Sequence, residues 1–295
     1  MSRKKMIGIG EILWDILPEG RQLGGAPANF AFHCQQLGNQ GIVISCVGDD
    51  DLGSEIKKSL QELGVSSIVG VTPQYSTGTV MVEMASRGIP TYTIAEDVAW
   101  DHLSAETHHL EMAAQANVIC FGSLASRSES SAQTIDNILS NCTKGCIRIF
   151  DINLRQHYYN PVVVKRLLSH SNVFKLNQEE LIIVSEMLGY NGTEDQLLEI
   201  LCETFALKLI ILTKGEMGSR LFSPVMGNSV MGVMPVEIVD TVGAGDAFTA
   251  AVATGLVHGL PLQKIHSLAT RVAGYVCNKR GATPTLPLEY KLAGD

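Results

Sequence analysis

Nowhere in the 295 residues does G-x-x-x-x-G-K-S/T occur, so the chain is not a P-loop enzyme. The motif set of the protein kinases is missing as well. Gly8-Ile9-Gly10 ends a short apolar strand, but no third glycine follows and no helix opens, which excludes a dinucleotide fingerprint. Positive charge is in deficit: 22 Lys and Arg stand against 30 Asp and Glu, a formal net charge of -8. That balance argues against nucleic acid or an anionic membrane as the main partner. A small anionic substrate stays compatible, because a local backbone anion hole does not depend on net charge. No apolar run reaches the length of a membrane span. Arg3, Lys4 and Lys5 precede an apolar stretch, but Glu11 and Asp15 interrupt it, so it is no signal peptide. A soluble, cytoplasmic protein is the expectation. The seven cysteines are an odd number, and only Cys142 and Cys146 lie close together. No histidine or second cysteine pair completes a zinc site there, so buried free thiols in a reducing compartment are expected. Internal repeats and low-complexity segments are absent too.

What is present suits one large α/β domain over residues 1–295 with a small appendage, since 45% hydrophobic content can bury a large core. Strand-like runs at 6–10, 41–48, 118–122, 147–151, 173–177 and 209–213 are separated by helical patterns. Among those helices are one opening at Pro27 and ending near Leu37-Gly38, others over about 128–140 and 161–170, and one over 269–278. This alternation predicts a mostly parallel sheet covered on both faces, with ligands beyond the carboxyl ends of the strands. Residues 77–101 differ. Val80, Val82 and Met84 share one face, Ser86-Arg87-Gly88 reads as a hairpin turn, and Tyr92 and Ile94 continue a second strand. A separate small sheet is expected there. In the acidic turn Asp49-Asp50-Asp51, Asp51 reads as the cap of a helix beginning at Leu52, not as a metal ligand.

The stretch that organises the chain runs from Asp240 to Leu256, D-T-V-G-A-G-D-A-F-T-A-A-V-A-T-G-L. Gly243, Ala244 and Gly245 form a small-residue turn feeding an Ala-rich helix, which presents backbone N–H groups to an anion. Asp246 stands where that hole opens, and the helix dipole favours its ionised form. An anion hole beside a proton acceptor is what phosphoryl transfer to a hydroxyl requires. Taken by itself, G-x-G-D reads first as an ordinary helix cap, and only the whole stretch reverses that.

The whole stretch D-T-x-G-A-G-D-x-F closely resembles the C-terminal signature of the ribokinase-like (PfkB) sugar kinases. Gly24-Gly25-Ala26-Pro27-Ala28-Asn29 resembles their N-terminal signature, in the form typical of fructokinases. Asp151-Ile152-Asn153-Leu154-Arg155 resembles the D-x-N-x-R segment of fructokinases and ketodeoxygluconate kinases. Asn177-Gln178-Glu179-Glu180 matches the family's N-x-x-E, Thr213 to Gly218 resembles its nucleotide turn, and R-G-A-T-P-T-L-P its end segment. The resemblance implies a three-layer α/β/α sandwich with a small β lid, built here from about 11–24 and 75–100. It implies Asp246 as base, with Gly243, Ala244 and Gly245 as the anion hole. Asp15, Gly24, Gly25 and Asn29 would hold sugar hydroxyls, and Arg155 would contact substrate or the transferred phosphoryl group. Read from the residues alone, Arg155 could equally pair with Asp151 for structure, and Asn177 could simply cap a helix.

By the same resemblance, Asn177 and Glu180 would order the phosphates and a hydrated Mg2+, and Thr213, Gly215 and Gly218 would border ATP. A potassium-like ion would sit against Asp240 and backbone oxygens of Val242, Gly281 and Thr285. The lid would exclude water and serve as the contact of a homodimer. The reading that follows is an ATP-dependent sugar kinase, most like a fructokinase. Its alternatives are a kinase for ketodeoxygluconate, ribose or a nucleoside, and a non-catalytic sugar-binding regulator on the same fold.

Overall fold

The computed structural model describes residues 3–18, 20–84 and 90–292. Runs such as Val118-Ile119-Cys120-Phe121 and Leu209-Ile210-Ile211-Leu212 are buried at every position, the pattern of strands covered on both faces. Nine strands form the main sheet of the described residues. They are β1 (Lys5–Ile9), β4 (Gln40–Gly48), β5 (Ser66–Thr72), β8 (Val118–Phe121), β9 (Ile147–Asp151), β10 (Val173–Asn177), β11 (Leu209–Thr213), β12 (Ser219–Ser223) and β13 (Gly227–Met231). A second sheet holds β2 (Leu13–Leu17), β3 (Gly20–Gly24), β6 (Gly78–Met84) and β7 (Pro90–Ile94). The main order is β13-β12-β11-β10-β9-β8-β1-β4-β5, and the small one is β3-β2-β6-β7.

From β5 to β11 the main sheet is parallel, while β12 and β13 add antiparallel at one edge. The strand spacing in the sequence did not announce that edge. A parallel pair needs a crossover helix, whereas β11, β12 and β13 are joined by tight turns that suit antiparallel pairing.

Side chains on successive strand positions point to opposite faces, so each strand feeds two cores. Ile7, Ile119, Phe121, Phe150, Ile210 and Leu212 join one; Met6, Val118, Ile149, Leu209 and Ile211 join the other. The first core is closed by α3 (Thr107–Ala114), α4 (Glu129–Asn141), α5 (Pro161–His170), α6 (Gln178–Leu188) and α7 (Glu194–Phe205). The opposite face is closed by α1 (Ala26–Gln36), α2 (Asp51–Glu62), α8 (Ala244–Val257) and α9 (Leu262–Cys277). Helix α8 is buried from Ala247 to Gly255 because α1 and α9 flank it, which explains why its sequence is apolar all round. Truncating a side chain such as Ile210, fully buried between the layers, would cost about 2–5 kcal/mol.

Two local expectations change. Asp50, not Asp51, caps α2: its Oδ1 accepts from Gly53 N at 2.7 Å, and its carboxylate also accepts from the backbone and hydroxyl of Thr77. Those bonds join the α2 turn to the entry of β6 and identify Asp50 as a structural cap. Helix α9 starts seven residues before Ala269, at Leu262. The Ser86-Arg87-Gly88 turn and the side chain of Met84 lie outside the described residues, while Val80 and Val82 are buried on one face as read. Cysteines 34, 46, 120, 142, 146, 202 and 277 are all unbridged. Among the described residues no helix is long and apolar enough to cross a membrane.

Candidate active site

Because the core strands are parallel, their carboxyl ends lie on one edge, and the polar residues there converge. The α8 end of the cleft is built on Gly243, whose φ of 76° is a left-handed conformation that suits glycine. A Cβ at this position would also meet Ala282 O at 2.6 Å, so the turn approaches the 281–285 segment too closely for any side chain. Ala244 and Gly245 start the helix, and Asp246 occupies its first turn.

Asn29, in the first turn of α1, donates from Nδ2 to Asp246 Oδ2 at 2.8 Å. An amide in an apolar helix start is thereby accounted for: it faces the carboxylate. Asp246 keeps partial solvent contact, yet burial pushes its pKa up from 3.8 to about 6. The nearby Asp151 pushes the same way, while Asn29, Lys175 and Arg155 oppose it. Burial therefore outweighs the helix dipole that favours the ionised form, and Asp246 titrates close to neutrality.

Behind Asp246 lies an ion pair that the sequence did not suggest. Lys175 Nζ sits 2.9 Å from Asp151 Oδ1, with both side chains almost wholly buried. Thr249, one turn after Asp246, donates to Asp151 Oδ2 at 3.1 Å. Burial works against the charged form of Lys175, but Asp151, Glu180 and Asp246 outweigh it and hold its pKa above the ordinary lysine range. Asp151 thus pairs with Lys175 and not with Arg155. Among the described residues Arg155 donates only to the carbonyl of its neighbour Leu154, and its charge influences Glu11, Asp15 and Asp246. The loop that carries it is bracketed by Asn153 and Gln156, both non-glycine residues at positive φ, 43° and 47°. Such strain persists only where the surroundings enforce it.

On the sugar-signature side, Asp15 projects from β2 against Gly24: a Cβ there would meet its Oδ2 at 2.5 Å. Burial raises Asp15, and Arg155 lowers it. Glu11, read from the sequence only as a charge interrupting an apolar run, is buried, with its carbonyl beneath Gly25. The signal that could have exposed it is its position, immediately after the carboxyl end of a core strand. A narrow cleft lined by Ala26, Pro27, Gly122, Asp151, Asp246 and Thr249 runs between α1, β8 and α8.

Asn177 and Glu180 form a reciprocal cap at the start of α6. Asn177 Oδ1 accepts from Glu180 N at 2.8 Å, and Glu180 Oε2 accepts from Asn177 N at 2.7 Å. Glu180 Oε1 accepts from Leu154 N at 2.9 Å, so the same side chain also fixes the Arg155 loop. Thr213 ends β11, and Gly215 and Gly218 turn at φ 55° and 92°. Lys214 between them is engaged with Glu194 at 2.6 Å, and no hydrogen bond among the described residues joins this turn to Asp246. Asp240 accepts from Val242 N at 3.0 Å and from Gly281 N at 2.9 Å, drawing two turns together, whereas Thr285 is exposed. No group of three His, Cys, Asp or Glu among the described residues is placed to ligate a metal. A divalent ion here would be held chiefly by nucleotide phosphates and water, which suits magnesium.

The chain matches known proteins along nearly all of its length. The model of the pfkB family of carbohydrate kinases matches residues 20–289. A fructokinase of Salmonella typhimurium is 30% identical, over 96% of this chain and 96% of its own. An ATP-dependent 6-phosphofructokinase of Thermoanaerobacterium thermosaccharolyticum is 26% identical, over 96% of this chain and 90% of its own. The solved structure of an uncharacterized sugar kinase from Pyrococcus horikoshii in complex with ATP superposes with a TM-score of 0.80 at 26% identity, covering 93% of each chain.

Proposed function

Because the chain belongs to the pfkB family of carbohydrate kinases, with the ribokinase-like α/β fold, we propose that it phosphorylates an uncharged hexose of the fructose class. It is an ATP-dependent sugar kinase; the acceptor and the roles of individual residues are the proposal. The observation that carries it is the hydrogen bond from Asn29 to Asp246 at the N-terminus of α8. It joins the acceptor side of the cleft to the group that would take the proton.

In this reading Asp15, Gly24, Gly25, Asn29 and Arg155 hold the sugar hydroxyls and orient one of them toward Asp246. Asp246 removes the proton as the hydroxyl attacks the γ-phosphorus, and the bond to the ADP oxygen breaks. The N–H groups of Gly243, Ala244 and Gly245 take up charge on the transferred group. Thr213, Gly215 and Gly218 border the nucleotide. Asn177 and Glu180 order its phosphates and the water shell of Mg2+, which neutralises phosphate charge when bound. A monovalent cation such as K+ would lie where Asp240 draws the two turns together, beside the carbonyls of Val242, Gly281 and Thr285. It would stiffen the anion hole, so potassium should activate more than sodium, and Asp240→Asn should abolish the difference.

The small sheet covers the acceptor side as a lid. Exposed Met81, on the face of the small sheet opposite the buried Val80 and Val82, supports a homodimer contact, which sedimentation would test. A phosphorylated or acidic acceptor finds less support: Lys175 is committed to Asp151, which leaves Arg155 as the cation facing Glu11, Asp15 and Asp246.

The test is ADP release with Mg-ATP against fructose, fructose 6-phosphate, ketodeoxygluconate, ribose and adenosine, with Asp246→Asn as control. Turnover on fructose that disappears in Asp246→Asn is the expected result. Turnover on another acceptor would keep the chemistry and correct the substrate. Silence on every acceptor, with sugar binding still seen by calorimetry, would overturn turnover in favour of a regulator.

A further inference from the structure

We propose that His33 is a positioning residue for phosphoryl transfer: through the carbonyl of Ala282 it braces the Gly243 turn, so that α1 sets the place of the anion hole as well as that of the base. The inference deepens the kinase reading above and rests on it, and His33 lies outside both sequence signatures.

His33 sits on α1 one turn after Asn29, so the two side chains leave the same face of the helix. Its ring is 0% exposed, and its neighbours Phe30, Phe32 and Cys34 are buried apolar residues. Nε2 lies 2.9 Å from Ala282 O. A carbonyl oxygen can only accept, so Nε2 carries the proton and donates. Nδ1 is then a bare acceptor, buried with no hydrogen-bond partner among the described residues. An apolar side chain of similar size would fill the site without burying an unpaired nitrogen. What the histidine adds over such a side chain is the single bond to Ala282.

Ala282 in turn packs against the anion hole. A Cβ on Gly243 would fall 2.6 Å from that same carbonyl oxygen and 2.7 Å from the Cα and Cβ of Ala282. One oxygen therefore meets both the imidazole and the Gly243 turn. Gly281 N donates to Asp240 Oδ2 at 2.9 Å, and Val242 N donates to Asp240 Oδ1 at 3.0 Å. The 240–243 and 281–282 segments thus form one unit, and His33 ties that unit to α1. Asn29 ties Asp246 to the same helix at 2.8 Å. Helix α1 holds the hole and the base at two points one turn apart. Donors aimed at developing charge are effective because their place is fixed in advance. The ring has no charge to contribute itself: burial pulls its pKa down to about 4, which leaves it neutral and a steady donor near neutral pH.

The experiment uses the whole chain with Mg-ATP and the acceptor that turns over in the panel above, on wild type, His33→Phe, His33→Asn and His33→Gln. Phe keeps a planar ring without a donor. Gln can carry an N–H to the place of Nε2, whereas Asn reaches only to that of Nδ1. His33→Phe and His33→Asn should lower kcat roughly 10- to 100-fold, as a displaced reacting group does. KM for ATP and for the acceptor should stay within about twofold, the mark of an interaction realised in the transition state. His33→Gln should recover most of kcat. The acidic limb near 6 should not move in any variant, since the Asn29–Asp246 bond is untouched. Calorimetric affinity for MgADP–aluminium fluoride, a mimic of the transferred group, should fall with kcat, while affinity for MgADP alone holds. Unchanged kcat and mimic affinity in His33→Phe and His33→Asn would overturn the inference. A loss that raises both KM values in step, or that His33→Gln does not relieve, would overturn it too, as the sign of a purely structural role. Should His33→Phe fail to fold, the Asn and Gln variants decide alone, and equal kcat in the two refutes the brace. A wild type silent on every acceptor sinks the kinase reading instead. Mimic affinity then still tests His33, because it needs the hole and not the proton transfer; a wild type that binds the mimic no tighter than MgADP would remove the hole and the role of His33 with it.

Discussion

Asn29 and Asp246 lie 217 positions apart and share a 2.8 Å hydrogen bond. Each opens a helix, α1 and α8, and the two helices pack side by side against the same face of the sheet. The bond therefore fixes the distance between two helix N-termini. The amide donates to one carboxylate oxygen and stabilises the ionised form of a group that burial would protonate.

This balance makes Asp246 a stability liability above neutral acidity. Its folded-state pKa, about 6, exceeds the value of 3.8 expected in the unfolded chain. The folded state therefore holds the proton more tightly, and stability falls as pH rises from about 4 through 6. Asp246→Asn, which can still accept from Asn29, should be more stable than wild type by about 2–3 kcal/mol at pH 8, and equal to it near pH 3. Activity should drop by about 100-fold or more. Urea unfolding at the two pH values checks the first claim, and a pH-independent difference would contradict it.

Much of this architecture is legible in the sequence because it depends on local pattern. The strands ending at Asp151, Asn177 and Thr213 are short β-rich runs, and those ends place the polar residues on one edge. Gly243 and Gly25 are legible for a similar reason, since turns of positive φ select glycine. What stays hidden depends on partners brought from elsewhere. Lys175 is one letter in an apolar strand until β9 sets Asp151 beside it. Glu11 looks like surface charge until α1 folds over it. The choice of Asp50 over Asp51 as cap turns on Thr77, which is remote in sequence.

Two glycines with similar backbone angles separate the cost of conformation from that of crowding. Gly259, at φ 66°, has open space where a Cβ would stand, whereas Gly243, at φ 76°, faces Ala282 at 2.6–2.7 Å. Gly259→Ala should cost about 1–2 kcal/mol, the left-handed penalty alone. Gly243→Ala should cost a further 1–3 kcal/mol or so from overpacking and also lose activity, because the 243–245 turn must move. Equal losses in thermal or urea unfolding would show that the close approach to Ala282 is unimportant.

The Asp151–Lys175 pair should behave as a buried ion pair does. Lys175→Met strands a buried carboxylate and should cost about 3–5 kcal/mol, while the double change Asp151→Asn with Lys175→Met should recover most of it. The pH profile supplies a second reading. Lys175 lowers the pKa of Asp246 and Asp151 raises it, so the acidic limb should move above 6 in Lys175→Met and return toward 6 in the double variant. A double variant no more stable than the single one would refute the pairing.

Glu180, proposed above to order the nucleotide phosphates, reaches further than that role requires. One of its oxygens caps Asn177 N and the other holds Leu154 N, next to Arg155. Glutamine has a single acceptor oxygen, so Glu180→Gln must release one of the two N–H groups. The α6 cap is local and rigid, whereas the 153–156 loop is strained, so Leu154 is the contact that should be lost. Glu180→Gln should then raise KM for the acceptor as well as for ATP. Asn177→Ala, which removes a cap worth about 1 kcal/mol and leaves Leu154 held, should leave the acceptor KM within about twofold. Initial-rate kinetics with each substrate varied in turn decide the matter. An acceptor KM that responds to neither substitution would mean that the Arg155 loop keeps its position without Glu180.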